Sequence, residues 1–503
     1  MIQNTVKSGG FFIYSLMLLI FQTSLFFIDG SSGQEPLYWI LFITIGVQLM
    51  YYFLLGFKRE RILYSFWVRP SNIFILSLLI VNLQIILNVY LGLDSISSYL
   101  ETCIYTPYVG KALIFGCIGI SAFLLGNAIK TKQNITYRAI SAPQKQTVFV
   151  WTLMSLLSFC VWVINIDILS FVTGMDYQGS GAATRETSPF AIFEVLFDVF
   201  VTINLATITR NNIIESKKEW SILAFLRSFP VLFLLIVSMY MILRLVSGDR
   251  GPVIYTGLMF FYSYLISTGK RIKLSRLLLL IIVGAFSMTL LNVIRGFRNP
   301  TESFSQKVER ALEEMSEESD IKTISPFTHE LAKSVNCNFI ALHDIDKGIT
   351  NYKYGAYNIS ELVIGIPGSN RVAQELFDID LYRYATSEYL TISFLGKNYA
   401  FGLGTTALAD FFLDFGIIGV ILGMFFGGRL FKKIDSCIVS PYINIYVLIA
   451  MLKFSSMAIY IPRSSFSFVA CRVIYIFIIF SFFYSLVSFF SYIKTLKLKY
   501  CND

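Results

Sequence analysis

The passage that decides the fold begins at Arg295-Gly-Phe-Arg298-Asn299-Pro300, where a long apolar run ends. It closes at Phe401-Gly-Leu-Gly404-Thr-Thr-Ala-Leu-Ala-Asp410-Phe-Phe-Leu-Asp414-Phe-Gly416-Ile-Ile-Gly419, where apolar sequence resumes. Residues 299–401 between them are mostly polar, whereas both flanks read as membrane. A loop that long is uncommon unless it serves a function. This insertion is therefore where the chain is expected to meet a large water-soluble substrate.

Composition agrees. Of 503 residues, 55% are hydrophobic and only 15% charged, against about a quarter charged in soluble proteins. The chain reads as an all-α polytopic membrane protein. Its net charge of +9 does not point to nucleic acid, because Lys and Arg sit in short clusters between apolar runs, which is how topology is encoded. Seven Cys and two His show no paired spacing for a disulfide framework or a zinc site. No metal and no cofactor is expected.

Runs long enough to cross about 30 Å of hydrocarbon lie near 11–28, 37–57, 71–93, 109–129, 148–172, 190–209, 227–246, 252–268 and 275–295, then 404–428, 440–460 and 466–493. Twelve spans result, nine in residues 1–298 and three in 402–503, with the loop 299–401 between the ninth and tenth. Basic connections alternate with poor ones: Lys58-Arg59-Glu60-Arg61, Lys130 to Lys145, Arg210 to Lys218, Lys270 to Arg276, Arg429 to Lys433 and Lys494 to Lys499 fall on one side. That side is cytoplasmic, which puts both termini inside and the loop outside. Within the loop, Phe304, Val308, Leu312 and Met315 share a helical face. A second helix is expected from Ser325, as N-cap with Pro326 in its first turn, through Leu342. A third, short one covers Arg371 to Phe377.

Charges at the outer ends of the spans carry the chemistry. Arg244, Arg250, Arg295, Arg298, Arg463 and Arg472, with Arg371 in the loop, gather on the face that the topology rule disfavours for basic residues. Each Arg alone can snorkel to headgroups. As a group they suit a shared anionic ligand such as a lipid phosphate or pyrophosphate, because the guanidinium fork binds phosphate bidentately and keeps its charge. Acids on that side are Glu194, Asp198, Asp249 and Asp410. In a single span Asp410 lies nearer the surface than Asp414, so Asp410 is the expected base toward a sugar hydroxyl. Glu194, Asp198 and Asp414 read instead as partners of Arg244, Lys453 or Arg472. His343 and Tyr357 are loop candidates, a proton carrier and a flat face for a sugar ring respectively.

Two motifs resemble a known family. Ser247-Gly-Asp-Arg250-Gly251 is similar to the Gly/Ser-x-Arg-Gly element of the Wzy-type polymerases of O-antigen and capsule repeat units. Gly404 to Gly419 resembles their small-residue, acidic, Phe-Gly-x-x-Gly helix, with Asp410 where the family often has Glu. Ile366-Pro-Gly-Ser-Asn-Arg371 is similar as well. The resemblance implies a metal-independent glycosyltransferase of GT-C-like architecture in the bacterial inner membrane. Its substrates would be undecaprenyl-pyrophosphate-linked oligosaccharides, with a chain-length regulator protein as a further partner. Asp410 and Arg250 would act in catalysis. The same charges would serve an O-antigen ligase or a lipid-linked oligosaccharide flippase.

Overall fold

The structure is a computed structural model that describes residues 2–28, 35–59, 68–93, 107–129, 145–166, 191–215, 221–247, 250–269, 324–366, 368–397, 402–439 and 444–500. Among them every regular element is helical. The first eight long helices are α1 (Ile2–Ile28), α2 (Glu35–Arg59), α3 (Pro70–Tyr90), α4 (Val109–Ala128), α5 (Lys145–Ile164), α6 (Ala191–Ile214), α7 (Val231–Val246) and α8 (Arg250–Thr268). The loop contributes α9 (Pro326–Ala332), α10 (Asn336–Asp346), α11 (Ala356–Ile364), α12 (Ser369–Phe377) and α13 (Thr386–Leu395). The chain finishes with α14 (Ala407–Val439), α15 (Ile445–Met457) and α16 (Phe466–Tyr500).

Among the described residues, eight helices are long and apolar enough to cross a membrane: α1 to α6, α14 and α16. The ninth expected span, 275–295, lies outside the described residues, as does the first loop helix around Phe304 to Met315. Three further expected spans are not among the eight: α8, and two that are short. At 1.5 Å per residue, α7 (16 residues) is about 24 Å long and α15 (13 residues) about 20 Å. Nine residues of α15 are buried, Lys453 included, so it sits inside the bundle. At the centre, α4 is buried almost throughout, with Phe74 of α3 stacked on Phe123 of α4 and Phe431 of α14 tilted against both. Gly126 and Gly428 let α4 and α14 touch backbone to backbone, since a Cβ at either would collide with the opposing main chain.

The tenth span departs from expectation. Residues 404–428 do not form one straight crossing, because Gly416 takes φ 64°, ψ −156° inside α14, a conformation open essentially to glycine. In a continuous helix Phe411 and Gly423 would lie about 18 Å apart. Here a Cβ on Gly423 would collide with the Phe411 ring, and one on Gly419 with the Phe411 carbonyl. The helix therefore reverses at Gly416, and its short arm, 407–415, folds back along its long arm, 417–439. Leu408 packs at Gly119 and Phe412 at Phe115, so the short arm runs opposite to α4. Asp414 thus sits beside the bend, and Asp410 lies one turn further from it.

The described part of the loop shares one core with the spans. Phe339, Ile340, Ala341 and Leu342 of α10 are buried in the same apolar cluster as α3, α4 and α14. Polar side chains of α3 receive the loop: Asn338 Nδ2 donates to Asn82 Oδ1 (2.7 Å), Thr328 Oγ to Gln84 Oε1 (2.7 Å), and Gln84 Nε2 to the Ser325 carbonyl (3.0 Å). The helix expected from Ser325 to Leu342 is interrupted by a 3-10 turn at Lys333–Val335. Ser325 does occupy the N-cap position with Pro326 in the first turn, though its hydroxyl makes no cap bond. The expected helix at Arg371 to Phe377 is α12.

Candidate functional site

The reversal at Gly416 frees backbone groups that a helix would otherwise pair internally, and the loop takes them up. The Leu413 carbonyl accepts from Lys353 N–H and the Asp414 carbonyl from Tyr354 N–H, both at 2.9 Å. The Asp414 side chain, fully buried, then caps the start of α11. Its Oδ1 accepts from Tyr357 N–H (3.1 Å), and its Oδ2 from Asn358 N–H (2.9 Å) and Asn358 Nδ2 (2.6 Å). A carboxylate suits a helix N-terminus because it meets orphan donors and the positive end of the helix dipole. Asp414 is thus an anchor for the loop, pairing with α11 rather than with the cations named for it from sequence.

One turn along α11 from that anchor, Glu361 comes to Asp410. Its carboxyl lies within reach of the Asp410 carboxyl, the Ser465 hydroxyl and the Thr386 backbone. Asp410 is 1% exposed and accepts from Thr405 Oγ at 2.9 Å. Thr405 and Thr406 form the last residues before the short arm, and Thr406 donates to Asn338 at 2.5 Å, which ties this corner to α10 and α3. Burial, with the negative charge of Asp414, pushes the Glu361 carboxyl up to about 7 despite the hydrogen bonds it receives. Two carboxyls packed together out of water oppose each other's ionisation, the condition found where carboxyls hold and pass protons.

The cations form a second group. Glu194 and Asp198 stand one turn apart on α6, as their spacing predicts. Glu194 pairs with Arg244 and accepts from Tyr240 Oη at 2.9 Å, and the guanidinium lies over Trp162, 5.4 Å from its ring centre. Asp198 accepts from Lys453 Nζ at 2.6 Å and from Arg472 Nη1 at 3.5 Å, and Arg472 also lies over Phe468 (4.5 Å). The structure therefore joins Arg244, Lys453 and Arg472 in one ladder, three cations on two acids. Arg463 lies over Tyr460 (5.8 Å), which packs edge-on against Tyr255 of α8 (5.2 Å). Arg250 opens α8, just over one turn before Tyr255.

One segment links the two groups. From Arg463 the chain passes Ser465 at Glu361, then Ser467, which donates to Asn358 at 2.7 Å, and reaches Arg472. The six helical steps from Phe466 to Arg472 rise about 9 Å. Other expected site residues lie elsewhere. Arg371 is 75% exposed on α12 and paired with Glu375 at 2.8 Å. The Tyr357 ring is buried beside Tyr389, so its face is covered. His343 sits in the C-terminal part of α10 with Asp344 at 2.9 Å and Tyr108 against its ring. Arg295 and Arg298 lie outside the described residues. Glu361 was not singled out from sequence, where it is one acid among many in the loop, and its only local signal is the Gly355 to Gly365 frame of its short helix.

No curated protein and no solved structure matches the chain. A family model does match, that of the O-antigen polysaccharide polymerase Wzy, over residues 10–495. The match covers both motifs, the reversed helix and the loop alike. By that nearly full-length agreement the chain belongs to the O-antigen polysaccharide polymerase Wzy family.

Proposed function

We propose that this multi-pass membrane protein joins undecaprenyl-pyrophosphate-linked oligosaccharide repeat units by glycosyl transfer at the outer face of the bacterial inner membrane. The growing glycan moves from its lipid diphosphate to the non-reducing end of the next lipid-linked unit. The observation that carries this reading is the pairing of a buried carboxyl centre, Asp410 with Glu361, with a cation ladder about 9 Å along the same segment. Glycosyl transfer asks for these two parts: a group that orients or deprotonates the acceptor hydroxyl, and positive charge for the departing diphosphate.

In this reading the Asp410 centre receives the acceptor. Arg472 and Arg244, with Arg463 and Arg250 on the adjoining turns, hold the diphosphate, helped by Arg295 and Arg298, which lie at the end of the apolar run 275–295 in sequence. The ladder suits an anion because its three cations exceed its two acids. The alternating Lys and Arg clusters support a topology with both termini cytoplasmic and the loop outside.

Reconstitution tests the proposal. Purified protein in lipid nanodiscs, given lipid-linked repeat units, is expected to produce a glycan ladder rising by one unit per step. Lipid that crosses the bilayer without forming a bond supports a flippase instead. Transfer of finished chains to a different acceptor, with no ladder, supports a ligase.

A further inference from the structure

Three buried oxygens from separate segments converge at Asp410 with no well-aligned hydrogen bond among the described residues: Asp410 Oδ2 on α14, Glu361 Oε2 on α11 and Thr386 Oγ on α13. Buried polar atoms left unmatched are rare in folded proteins and call for a reason. Two of the three are carboxyl oxygens, which when ionised only accept. Beside the Thr386 hydroxyl and the proton the pair retains, the carboxyl oxygens keep lone pairs free to accept, and a sugar hydroxyl is a donor that fits them. The carboxyls are not equivalent toward an incoming group. Asp410 is 1% exposed and has its other oxygen on Thr405, whereas Glu361 is half-buried on the loop side.

We infer that Glu361 is a further catalytic residue: its carboxylate receives the proton of the acceptor sugar hydroxyl, and Asp410 behind it holds the proton the pair retains. This deepens the polymerase reading and rests on it. The acceptor O–H bond breaks and its proton passes to Glu361. The acceptor oxygen bonds to the anomeric carbon as the bond from that carbon to the diphosphate oxygen breaks, the electron pair leaving on the diphosphate. The centre goes from one proton to two and returns the extra one to water before the next cycle.

The groups acting on Glu361 come from every side of the centre: Asp410 and Asp414 from α14, Thr386 from α13 and Ser465 from the turn before α16. Asp414 is occupied with the α11 N-terminus. Asp410 meets Glu361 through a hydrogen bond that favours its ionisation and, holding the retained proton, places no second negative charge beside it.

The test measures ladder formation across about pH 5–9 by the full chain in nanodiscs, for wild type, Glu361→Gln, Glu361→Asp and Asp410→Asn at matched abundance. Wild type should lose activity as the pH falls through about 7. Glu361→Gln should fall by about 10²-fold or more and lose that acid limb, while Glu361→Asp keeps the limb at reduced rate. Asp410→Asn should not move the limb to lower pH, because the neutral amide removes no charge that the protonated acid carried. A Glu361→Gln variant within about tenfold of wild type with the limb unchanged overturns the inference. So does abolition at every pH by Asp410→Asn alone. A second readout needs no substrate: infrared titration of the wild-type protein should show a carboxyl losing its proton near pH 7, absent in Glu361→Gln. If that titration persists in Glu361→Gln, the assignment fails whatever the activity. A wild type that builds no ladder overturns the polymerase reading, and this role with it, even where the titration is present.

Discussion

Replacing Asp414 should detach the loop from the bundle before it touches the chemistry. The carboxylate accepts three hydrogen bonds from the first turn of α11, at 3.1, 2.9 and 2.6 Å, and it is fully buried. Asp414→Ala leaves three donors without an acceptor. A buried donor stranded by loss of its partner costs about 1–3 kcal/mol, and the three share one environment, so about 3–6 kcal/mol is expected in all. Asp414→Asn keeps one acceptor oxygen and the shape but loses the charge, and should cost about 1–3 kcal/mol. Two other ties, Lys353 and Tyr354 to the carbonyls of the bend, remain in both variants. Limited proteolysis of nanodisc-embedded protein reads the result. Cleavage within 351–366 should speed up far more in Asp414→Ala than in Asp414→Asn, ahead of any global loss of helix by circular dichroism. Equal and slow cleavage of wild type and Asp414→Ala would refute the anchor, and with it the account of how α11 brings Glu361 to Asp410.

Further predictions follow from the same geometry. Gly416→Ala should destabilise the reversed helix by about 1–3 kcal/mol from backbone strain, with more from the new Cβ at 3.2 Å from the Tyr352 ring, seen as a lower thermal midpoint; an unchanged midpoint would argue for a straight span. Lys453→Met strands Asp198 beside Arg472 alone and should cost about 3–5 kcal/mol, while the double change with Asp198→Asn should recover most of it in a thermal cycle. Arg250→Lys keeps the charge and loses the fork, so ladder length should drop sharply if Arg250 grips the diphosphate; normal chain length at normal abundance reduces it to a topological role. Stability should also respond to Glu361: its folded carboxyl holds its proton up to about 7, above the ordinary 4.5. The folded state then binds more protons than the unfolded one between those values, and stability falls as pH rises through that window. Thermal scans of Glu361→Gln should lose this slope.

The spans were legible because an apolar run of bilayer length has few other readings, and α1 to α6 and α16 lie where the runs put them. The acids of α6 were legible too, since spacing alone places Glu194 and Asp198 on one helix face, where each meets a cation named in advance. The reversal was not. Gly416 sits in an apolar run where glycine also serves close helix packing, as Gly126 and Gly428 do, and only the backbone angle separates the roles. That one residue replaced the single span, in which Asp410 was expected nearer the surface than Asp414, with two arms that put Asp414 beside the bend. Glu361 escaped for a different reason: its partner is far away in sequence, and no local spacing marks one loop carboxyl as buried. The amides Asn82, Gln84 and Asn88 inside an apolar span were a usable signal, since polar side chains there must find partners, and they find the loop, Asn88 Oδ1 accepting from Ile324 N–H at 3.2 Å.

The most direct test of the account is a cryo-electron-microscopy structure of the protein in a nanodisc with an unreactive lipid-linked repeat unit bound as donor and a second unit as acceptor. Diphosphate oxygens are expected at hydrogen-bonding distance, about 3 Å, from Arg472 and at least one of Arg244, Arg250 and Arg463. An acceptor hydroxyl is expected between Glu361 and Asp410. Diphosphate density away from the ladder, or an acceptor sugar with no hydroxyl at the carboxyl pair, would contradict it.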